Sequence, residues 1–323
     1  MTLAEKKINF EKNRQPAESA LLTFKDSSGF IDGFDVYNCS IPFTWQDRIF
    51  IYGRVEKRDE FTRSFVHLFE ETAKDEFVAV KNSMISQLED PFVSKIGSEF
   101  VLGGVHVRFS RNELDTYYSY FYRGKSIDRL RYFTTGPDYM KDIRLVELDG
   151  GRIGVFSRPR NKEIEERYGS QSIVGFTIIS SLDELDAAVV ANAKFIPGLF
   201  GKGDWGGCNQ CYFLDSGHIG VIAHKSYESK LSDGQKILVY INTSFVFDIK
   251  NHCILDEKIL ATRACYPSAP VKDPTLVDCV FSSGIVLRDD GKADLYSGLG
   301  DVTEGRIVID YPFAGFGSIV RSL

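Results

Sequence analysis

Residues 87–97 read QLEDPFVSKIG and join an acidic pair and a proline to an apolar run. Proline is tolerated at the first position of a strand, and Asp and Glu are common turn residues, so this stretch predicts a buried strand that begins near Asp90. Asp90 is then either a turn residue at a strand start or a catalytic carboxylate. The stretch alone does not separate the two interpretations, but similar strand starts elsewhere in the chain favour the second.

Length and composition define the class of protein. The chain has 323 residues, of which 43% are hydrophobic and 13% aromatic. This length corresponds to about two ordinary domains, although large all-β folds form single units of this size. No apolar run approaches about 18 residues, so the sequence predicts a globular protein without a membrane span. Residues 1–19 are charged and lack the apolar segment of a signal peptide, so we expect a cytoplasmic protein.

Charge and cysteine usage exclude two kinds of partner. The net charge of −6 disfavours nucleic acid, because a phosphate backbone needs a positive surface. The chain has six cysteines, and in a protein without an export signal these are most simply reduced core residues. Cys208 and Cys211 have the spacing of zinc ligands, but no second pair follows them. We therefore predict no metal site.

Most of the sequence predicts β-strands. Helical periodicity is confined to residues 2–20 and 182–193. Turn clusters at residues 149–151, 232–234 and 289–291 separate runs that are β-branched, aromatic or alternating, as in antiparallel hairpins. The predicted strands are Arg48–Arg54, Glu99–Phe109, Tyr117–Tyr122, Arg152–Ser157, Ser172–Ile179, His218–Ala223 and Lys236–Phe247.

A repeat of strand starts predicts the architecture. An Asp or Asn precedes an apolar strand at intervals of about 50 to 70 residues, namely at Asp35, Asp90, Asp142, Asn209 and Asp278. Each is followed by a turn and by a second strand that ends in polar residues. Four strands per repeat, in five repeats, is the size of an all-β, five-bladed β-propeller.

The propeller prediction implies how the chain is organised. We expect one domain over residues 1–323, in which Ser19–Lys25 completes the last blade beside Arg306–Tyr311. Such closure removes exposed strand edges. The innermost strands of a propeller line its channel, so the five strand starts are expected to converge at one end. Asp and Asn are common in turns in any case, so the repeat does not establish their function.

Four motifs at these strand starts and ends carry a resemblance. They are residues 89–97 (EDPFVSKIG), residues 141–159 (KDIRLVELDGGRIGVFSRP), residues 222–227 (IAHKSY) and residues 297–301 (SGLGD). In order and spacing they resemble the mannosyltransferase and mannoside phosphorylase family, glycosyltransferase family 108, formerly a domain of unknown function. They are also similar to the five-bladed propellers of glycoside hydrolase family 130. The resemblance extends over roughly residues 30–311.

The resemblance implies roles for two carboxylates. Asp90 matches the family's general acid, although Phe92 stands where the mannoside phosphorylases have Arg. Asp301 matches the residue that contacts the reacting sugar. A turn role for Asp301, which lies beside glycines, is the alternative.

The resemblance also implies a phosphate site. Lys141 matches a phosphate ligand, and His224 and Tyr227 lie in the blade that supplies a His and a Tyr to phosphate, although Ala223 replaces the first residue of a Tyr-His pair. With Arg158 or Arg160, these side chains provide a point charge, planar forks and a hydrogen-bond donor, the usual means of binding a phosphate dianion. Phosphate is itself the nucleophile, so inverting transfer needs one acid and no enzymic base.

Further polar and aromatic residues are candidates for sugar binding. Trp205 lies in a glycine-rich stretch, residues 201–207, where an exposed ring would suit a sugar face. Arg54 and Glu56 alternate on one strand face, where a cross-strand ion pair is the alternative interpretation. The candidate substrate-binding residues are Asp35, Asn38, Arg54, Glu56, Asp142, Trp205, Asn209 and Asp301.

Together these observations predict a carbohydrate-active enzyme. The expected reaction is inverting transfer of mannose between phosphate, as mannose 1-phosphate or GDP-mannose, and a β-1,2-manno-oligosaccharide. The expected partners are sugar and phosphate or a sugar nucleotide, with no metal or organic cofactor, no nucleic acid and no membrane. The alternatives are a glycoside hydrolase of the same fold, which needs a second carboxylate to activate water, and a non-catalytic propeller that binds glycans or proteins.

Overall fold

The structure is a computed structural model that describes residues 1–29, 31–111 and 113–320. Strands dominate these residues. In the described part of the chain the α-helices are α1 (Leu3–Asn13), α2 (Lys162–Tyr168) and α3 (Ala187–Ala191). Short 3-10 helices lie at Ile127–Arg129, Asp149–Gly151, Leu182–Glu184, Arg263–Cys265 and Pro274–Leu276.

Most of the strands contain runs of consecutive buried side chains, so the alternation predicted from the sequence is only partial. In chain order they are β1 (Ser19–Leu21), β2 (Thr23–Lys25), β3 (Phe34–Tyr37), β4 (Phe43–Trp45), β5 (Arg48–Lys57), β6 (Phe65–Ala73), β7 (Glu76–Ala79), β8 (Glu89–Ile96), β9 (Glu99–Ser110), β10 (Glu113–Gly124), β11 (Arg131–Thr135), β12 (Arg144–Glu147), β13 (Ile153–Ser157), β14 (Val174–Ile179), β15 (Lys194–Ile196), β16 (Trp205–Phe213), β17 (Ile219–Lys230), β18 (Lys236–Asp248), β19 (Cys253–Ala261), β20 (Val280–Leu287), β21 (Lys292–Leu299) and β22 (Thr303–Asp310).

These strands form five sheets within the described residues. The sheet orders are β2-β7-β6-β5-β3 with β4 beside β5, then β8 to β11, β12 to β15 and β16 to β19 in consecutive order, and finally β20-β21-β22-β1. Consecutive strands within the sheets pair antiparallel, for example Tyr117 with Val107 and Phe121 with Gly103 between β10 and β9. The five-bladed β-propeller predicted from the sequence is confirmed.

The predicted closing segment is divided between two sheets. Ser19–Leu21 pairs antiparallel with β22, in the register Ala20 to Arg306. After the buried Leu22, Thr23–Lys25 pairs parallel with β7. The chain thus completes one sheet and immediately adds an edge strand to another.

The chain divides into two compact units. The first comprises Met1–Pro91, Ser226–Thr243 and Ile259–Pro312, and the second comprises Phe92–Lys225, Ser244–Lys258 and Phe313–Leu323. The single domain expected from the sequence stays a prediction. Each unit has its own apolar clusters, built in the first around residues such as Val36, Ile51 and Phe69 and in the second around residues such as Phe156, Val221 and Phe247.

Candidate active site

Asp90 lies at the start of β8 in the first unit, and its backbone is left-handed, with φ at 47°. A left-handed backbone is uncommon for a residue with a side chain, and Asp and Asn adopt it most readily. The Asp90 carboxylate accepts hydrogen bonds from Arg54 Nη1 at 2.9 Å and from Asn38 Nδ2 at 3.0 Å. The backbone and two side-chain donors from distant strands therefore fix the orientation of Asp90.

Arg54, on β5, connects several acids of this cluster. Its side chain is buried, donates to Glu56 at 2.9 Å and to Glu89 at 3.2 Å, and lies over the ring of Tyr37 at 4.7 Å. Burial alone would lower the pKa of Arg54, but the surrounding carboxylates outweigh it and raise the pKa. Arg54 is therefore a permanent cation at the centre of an acidic cluster.

A second cation, Lys272, bonds to Glu56. Burial would raise the pKa of Glu56, but Arg54 and the hydrogen bond from Lys272 lower it, so this carboxylate is charged at neutral pH. Asp35, the first predicted strand start, accepts from Arg58 Nη2 at 2.5 Å. Glu56 and Asp35 are thus already held by cations of the protein.

Asp301 differs from the other acids of the cluster. It lies between β21 and β22, is partly buried and has a left-handed backbone, with φ at 56°. Among the described residues, its side chain makes no hydrogen bond or ion pair. Burial raises its pKa to about 6; the charges of Asp90 and Glu56 also raise it, while Arg54 and Lys272 oppose the shift. Asp301 is therefore a carboxyl group that titrates near neutrality and can bind a ligand hydroxyl.

The Asn38 side chain packs against Gly298, where a larger residue would collide with it. Its φ is 45°, and a Cβ at Gly298 would lie 1.8 Å from Asn38 Oδ1. That buried oxygen has no hydrogen-bond partner in the described part of the chain. Behind Asn38, Glu304 accepts from the Cys39 N–H at 3.1 Å and from Ser283 Oγ at 2.7 Å, and burial raises its pKa to about 8.

The second unit contains a cluster of opposite sign around Asp142. This residue precedes β12 with φ at 57°, and it accepts from Arg158 Nε at 2.9 Å and Nη2 at 2.7 Å. Arg144 Nη2 and His224 Nε2 each lie 4.0 Å from its carboxylate. Burial would raise the pKa of Asp142, but Arg158, His224 and Arg144 lower it to about 2.

Close packing fixes the position of the Asp142 carboxylate. A Cβ at Gly207 would lie 2.6 Å from Asp142 Oδ2, so glycine is required opposite this side chain. This buried carboxylate thus holds Arg158 by two hydrogen bonds and lies beside Arg144 and His224. Because positive groups outnumber it, the cluster is suited to an anion such as phosphate.

His224 is oriented by Asn209 on the neighbouring strand. His224 Nδ1 lies 2.8 Å from Asn209 Oδ1, so Nδ1 carries the proton that the amide oxygen accepts. Asn209 Nδ2 is buried without a partner among the described residues. Asn209 lies within β16 and does not precede its strand as predicted. Its carbonyl also accepts from Arg144 Nε at 2.5 Å, which joins these three side chains into one network.

The remaining phosphate candidates lie in different surroundings. Lys141 Nζ lies 5.3 Å from the centre of the Tyr117 ring, and Arg160 lies 5.2 Å over Trp205 while donating to Gln171 at 2.5 Å. Tyr227 belongs to the first unit, where its ring packs against a small apolar cluster. That cluster contains Leu3, Ile237, Val239 and Ile241.

Trp205 differs from its predicted environment. It begins β16 and is only 4% exposed, whereas the sequence suggested an exposed ring in a loop. The indole faces the Arg160 guanidinium, a cation-π arrangement that holds the arginine. An exposed face for a sugar is therefore absent at this ring within the described residues.

Three charged residues of these clusters were not predicted. Arg144 and Asp142 are two residues apart, so strand alternation was a signal for Arg144. Its guanidinium lies 4.5 Å over the ring of Phe92. Lys272 and Glu304 carried no local signal, because their partners are far away in the sequence.

Neither a cluster of metal-binding side chains nor a membrane-spanning helix is found in the described part of the chain. Within 1–29, 31–111 and 113–320, no group of three or more His, Cys, Asp or Glu side chains is arranged to hold a metal ion. None of the helices in the same ranges is long and apolar enough to cross a membrane.

Comparisons with known proteins identify the family. A family model described as "Protein of unknown function (DUF1861)" matches residues 8–315. No curated protein sequence matches the chain significantly. Among solved structures, the chain is similar to MPT-4, a mannose phosphorylase from Leishmania mexicana in complex with phosphate ion, with 51% identity and a TM-score of 0.92 over 99% of this chain and 96% of that one.

Two further structures are informative. MPT-1, a GDP-Man-dependent mannosyltransferase from Leishmania mexicana, is 46% identical with a TM-score of 0.91, over 100% of this chain and 99% of that one. A β-1,2-mannobiose phosphorylase from Listeria innocua is 12% identical with a TM-score of 0.60, over 86% and 91% of the two chains, and shows the fold alone. The chain belongs to the DUF1861 family, and the predictions of a mannosyltransferase and mannoside phosphorylase family and of a carbohydrate-active enzyme are confirmed.

Proposed function

We propose that this protein transfers mannose with inversion between phosphate and a β-1,2-linked manno-oligosaccharide. The observation that carries the proposal is the set of basic groups around Asp142, since the two arginines Arg144 and Arg158 already exceed the charge of this one acid and His224 lies beside it. The two Leishmania mexicana relatives, a mannose phosphorylase and a GDP-Man-dependent mannosyltransferase, support the same reaction class.

In the direction of phosphorolysis, a phosphate oxygen attacks the anomeric carbon and the glycosidic bond breaks. The departing acceptor oxygen takes a proton from Asp90, and mannose 1-phosphate is the other product. Asp301 and Asn38 bind hydroxyl groups of the reacting mannose. Asp301 is suited to this because its carboxyl has no partner in the described part of the chain.

The proposed phosphate ligands are Lys141, Arg158, Arg160 and His224, which all belong to the second unit. Asp142 orients Arg158 and thereby contributes indirectly. His224 Nε2 is the ring nitrogen that does not bond to Asn209, so it is the atom that faces the phosphate, and it donates to a phosphate oxygen when the ring carries a second proton. Because phosphate is the nucleophile, the reaction needs no second carboxylate as base.

The test is a reaction of purified protein with β-1,2-mannobiose and inorganic phosphate. We expect release of mannose 1-phosphate, and the reverse reaction should extend manno-oligosaccharides from mannose 1-phosphate. A parallel reaction with GDP-mannose decides which donor is used. Release of free mannose at an equal rate without phosphate would instead identify a hydrolase, and no turnover with any donor would refute the proposed function.

Two variants separate the acid from the phosphate ligands. Asp90→Asn should keep the fold, because Asn also adopts left-handed backbone, but should lose about 10²- to 10⁴-fold in turnover. Its phosphate affinity should be retained. Lys141→Ala should mainly weaken phosphate binding, and Lys162→Ala, which removes an exposed lysine of the same unit, is the matched control. An active but destabilised Asp90→Asn protein would refute the role of Asp90.

A further inference from the structure

The loop of residues 58–63, between β5 and β6, presents one large apolar side chain to solvent. Phe61 is 76% exposed, and its loop neighbours Arg58, Asp59, Glu60, Thr62 and Arg63 are all polar. Leaving a phenylalanine exposed forgoes the stabilisation that burial of its side chain provides. A ligand that covers the ring would recover it.

The loop is held in a defined conformation. The Glu60 N–H donates to the Lys57 carbonyl at 3.2 Å, and Thr62 Oγ1 donates to the Phe61 carbonyl at 2.8 Å. Thr62 has φ at 57°, a left-handed backbone that is a genuine outlier for a β-branched residue. Strain of this kind concentrates at functional sites, where surrounding contacts impose it.

Both ends of the loop are bonded to other residues of the first unit, and one end joins the Asp90 network. At one end, Arg58 donates to Asp35. At the other end, Ser64 Oγ accepts from Arg54 Nε at 2.8 Å and bonds to Glu56. The same Arg54 guanidinium donates to Asp90. The loop is therefore continuous with the hydrogen-bond network of the proposed acid.

We propose that Phe61 is a stacking platform for a mannose unit of the acceptor chain beyond the unit that reacts. This inference rests on the proposed function, in which Asp90 protonates the acceptor oxygen, so that the acceptor chain leaves the reacting mannose at the Asp90 network. The C–H face of a sugar ring packs on an aromatic face, and the polar loop residues bind its hydroxyls. A sugar is favoured over a protein partner, because a stable protein interface buries about 800 Å² per partner and a single aromatic side chain covers much less.

The experiment compares acceptors of different length. For wild type and Phe61→Ala, KM is measured for mannobiose and for a long manno-oligosaccharide, with mannose 1-phosphate or GDP-mannose as donor. We expect Phe61→Ala to raise the ratio of the long-acceptor KM to the mannobiose KM about tenfold, the effect of losing one stacked ring. Phe61→Tyr, which keeps the aromatic face, should restore the wild-type ratio.

Ile49→Ala is the control, because Ile49 is an exposed apolar residue near the opposite end of the same strand, β5. An unchanged ratio in an active Phe61→Ala protein would overturn the inference and leave the proposed function intact. A lower mass in sedimentation together with an unchanged ratio would place Phe61 between copies of the chain and would also overturn it. A wild-type protein that transfers mannose to no acceptor would refute the proposed function and this inference with it.

Discussion

Replacing Asp301 with Asn should stabilise the protein relative to wild type. The gain in the free energy of unfolding should be larger at neutral pH than at acidic pH. The substitution removes the charge and the titration of the side chain while keeping nearly the same shape. Asn also tolerates the left-handed backbone at φ 56°. The effect therefore reports on the carboxyl group and not on a changed turn.

The direction and size follow from the shifted pKa. Burial raises the pKa of Asp301 to about 6 in the folded protein, from an ordinary value of 3.8. Below pH 3.8 the Asp301 carboxyl is mostly protonated in both the folded and the unfolded protein. As pH rises, the unfolded chain releases its proton first, so wild type loses stability up to the folded pKa. A pKa shift of about two units, at about 1.4 kcal/mol per unit, lowers the unfolding free energy of wild type by about 3 kcal/mol at neutral pH. Asp301→Asn avoids this loss.

The assay is urea denaturation of both proteins at a series of pH values from 4 to 7.5. The difference in unfolding free energy, variant minus wild type, should grow across this range and level off above about pH 6. Asp310→Asn, an exposed acid at the end of β22, is the control and should show no such growth. A constant difference for Asp301→Asn across the range would refute the argument that burial holds a proton on Asp301.

Three further substitutions test other parts of the network. Asn209→Ala removes the acceptor of His224 Nδ1 and should weaken phosphate binding several-fold, measured by calorimetry against pH. Glu304→Gln should gain melting temperature relative to wild type as pH rises from about 4.5 to about 8, because burial raises the pKa of Glu304 to about 8. Arg306→Ala should lower the unfolding free energy in urea by about 3–5 kcal/mol, because it leaves Asp75 and Asp294 without their buried cation. Lys74→Ala removes an exposed ion pair and should lower it by under about 1 kcal/mol.

Long strands were predictable because their evidence is local. The predicted strands Glu99–Phe109 and Lys236–Phe247 correspond to Glu99–Ser110 and Lys236–Asp248. In both, a run of apolar, mainly β-branched and aromatic residues lies between turn signals, and the sheet buries most of that run. Where the elements are short, the sequence pattern was weaker and the prediction was less accurate. Residues 182–193 were expected as one helix but form a 3-10 turn and the short α3.

Pairing was harder to predict than strand existence. Residues 19–25 carry one continuous strand pattern, yet β1 joins β22 and β2 joins β7. The choice depends on the buried Leu22 and on partners that lie elsewhere in the chain, so no local pattern contains it. Helix α2 was missed because it is only seven residues long, with Asn161 as its cap.

The same distinction applies to the candidate site. The acidic pair and proline at residues 89–91 and the Lys-Asp pair at residues 141–142 are contiguous in sequence, so their motifs could be recognised. The partners of Asp90 could not, because Arg54 and Asn38 are 36 and 52 residues away. Arg144 over Phe92 likewise depends on packing between strands.

A backbone conformation that Asp90 shares with three other polar residues near strand ends unites its two sequence interpretations. Asn38, Asp90 and Asp301 in the first unit, and Asp142 in the second, all have left-handed φ values between 45° and 57°. Asp and Asn are common in turns because they tolerate this conformation, which still costs about 1–3 kcal/mol when imposed in a fold. Gly298 opposite Asn38 and Gly207 opposite Asp142 leave the room that these side chains occupy. A turn role and a chemical role are therefore not alternatives here: the tolerance that makes Asp a turn residue allows the fold to hold a carboxylate at a strand start in a fixed direction.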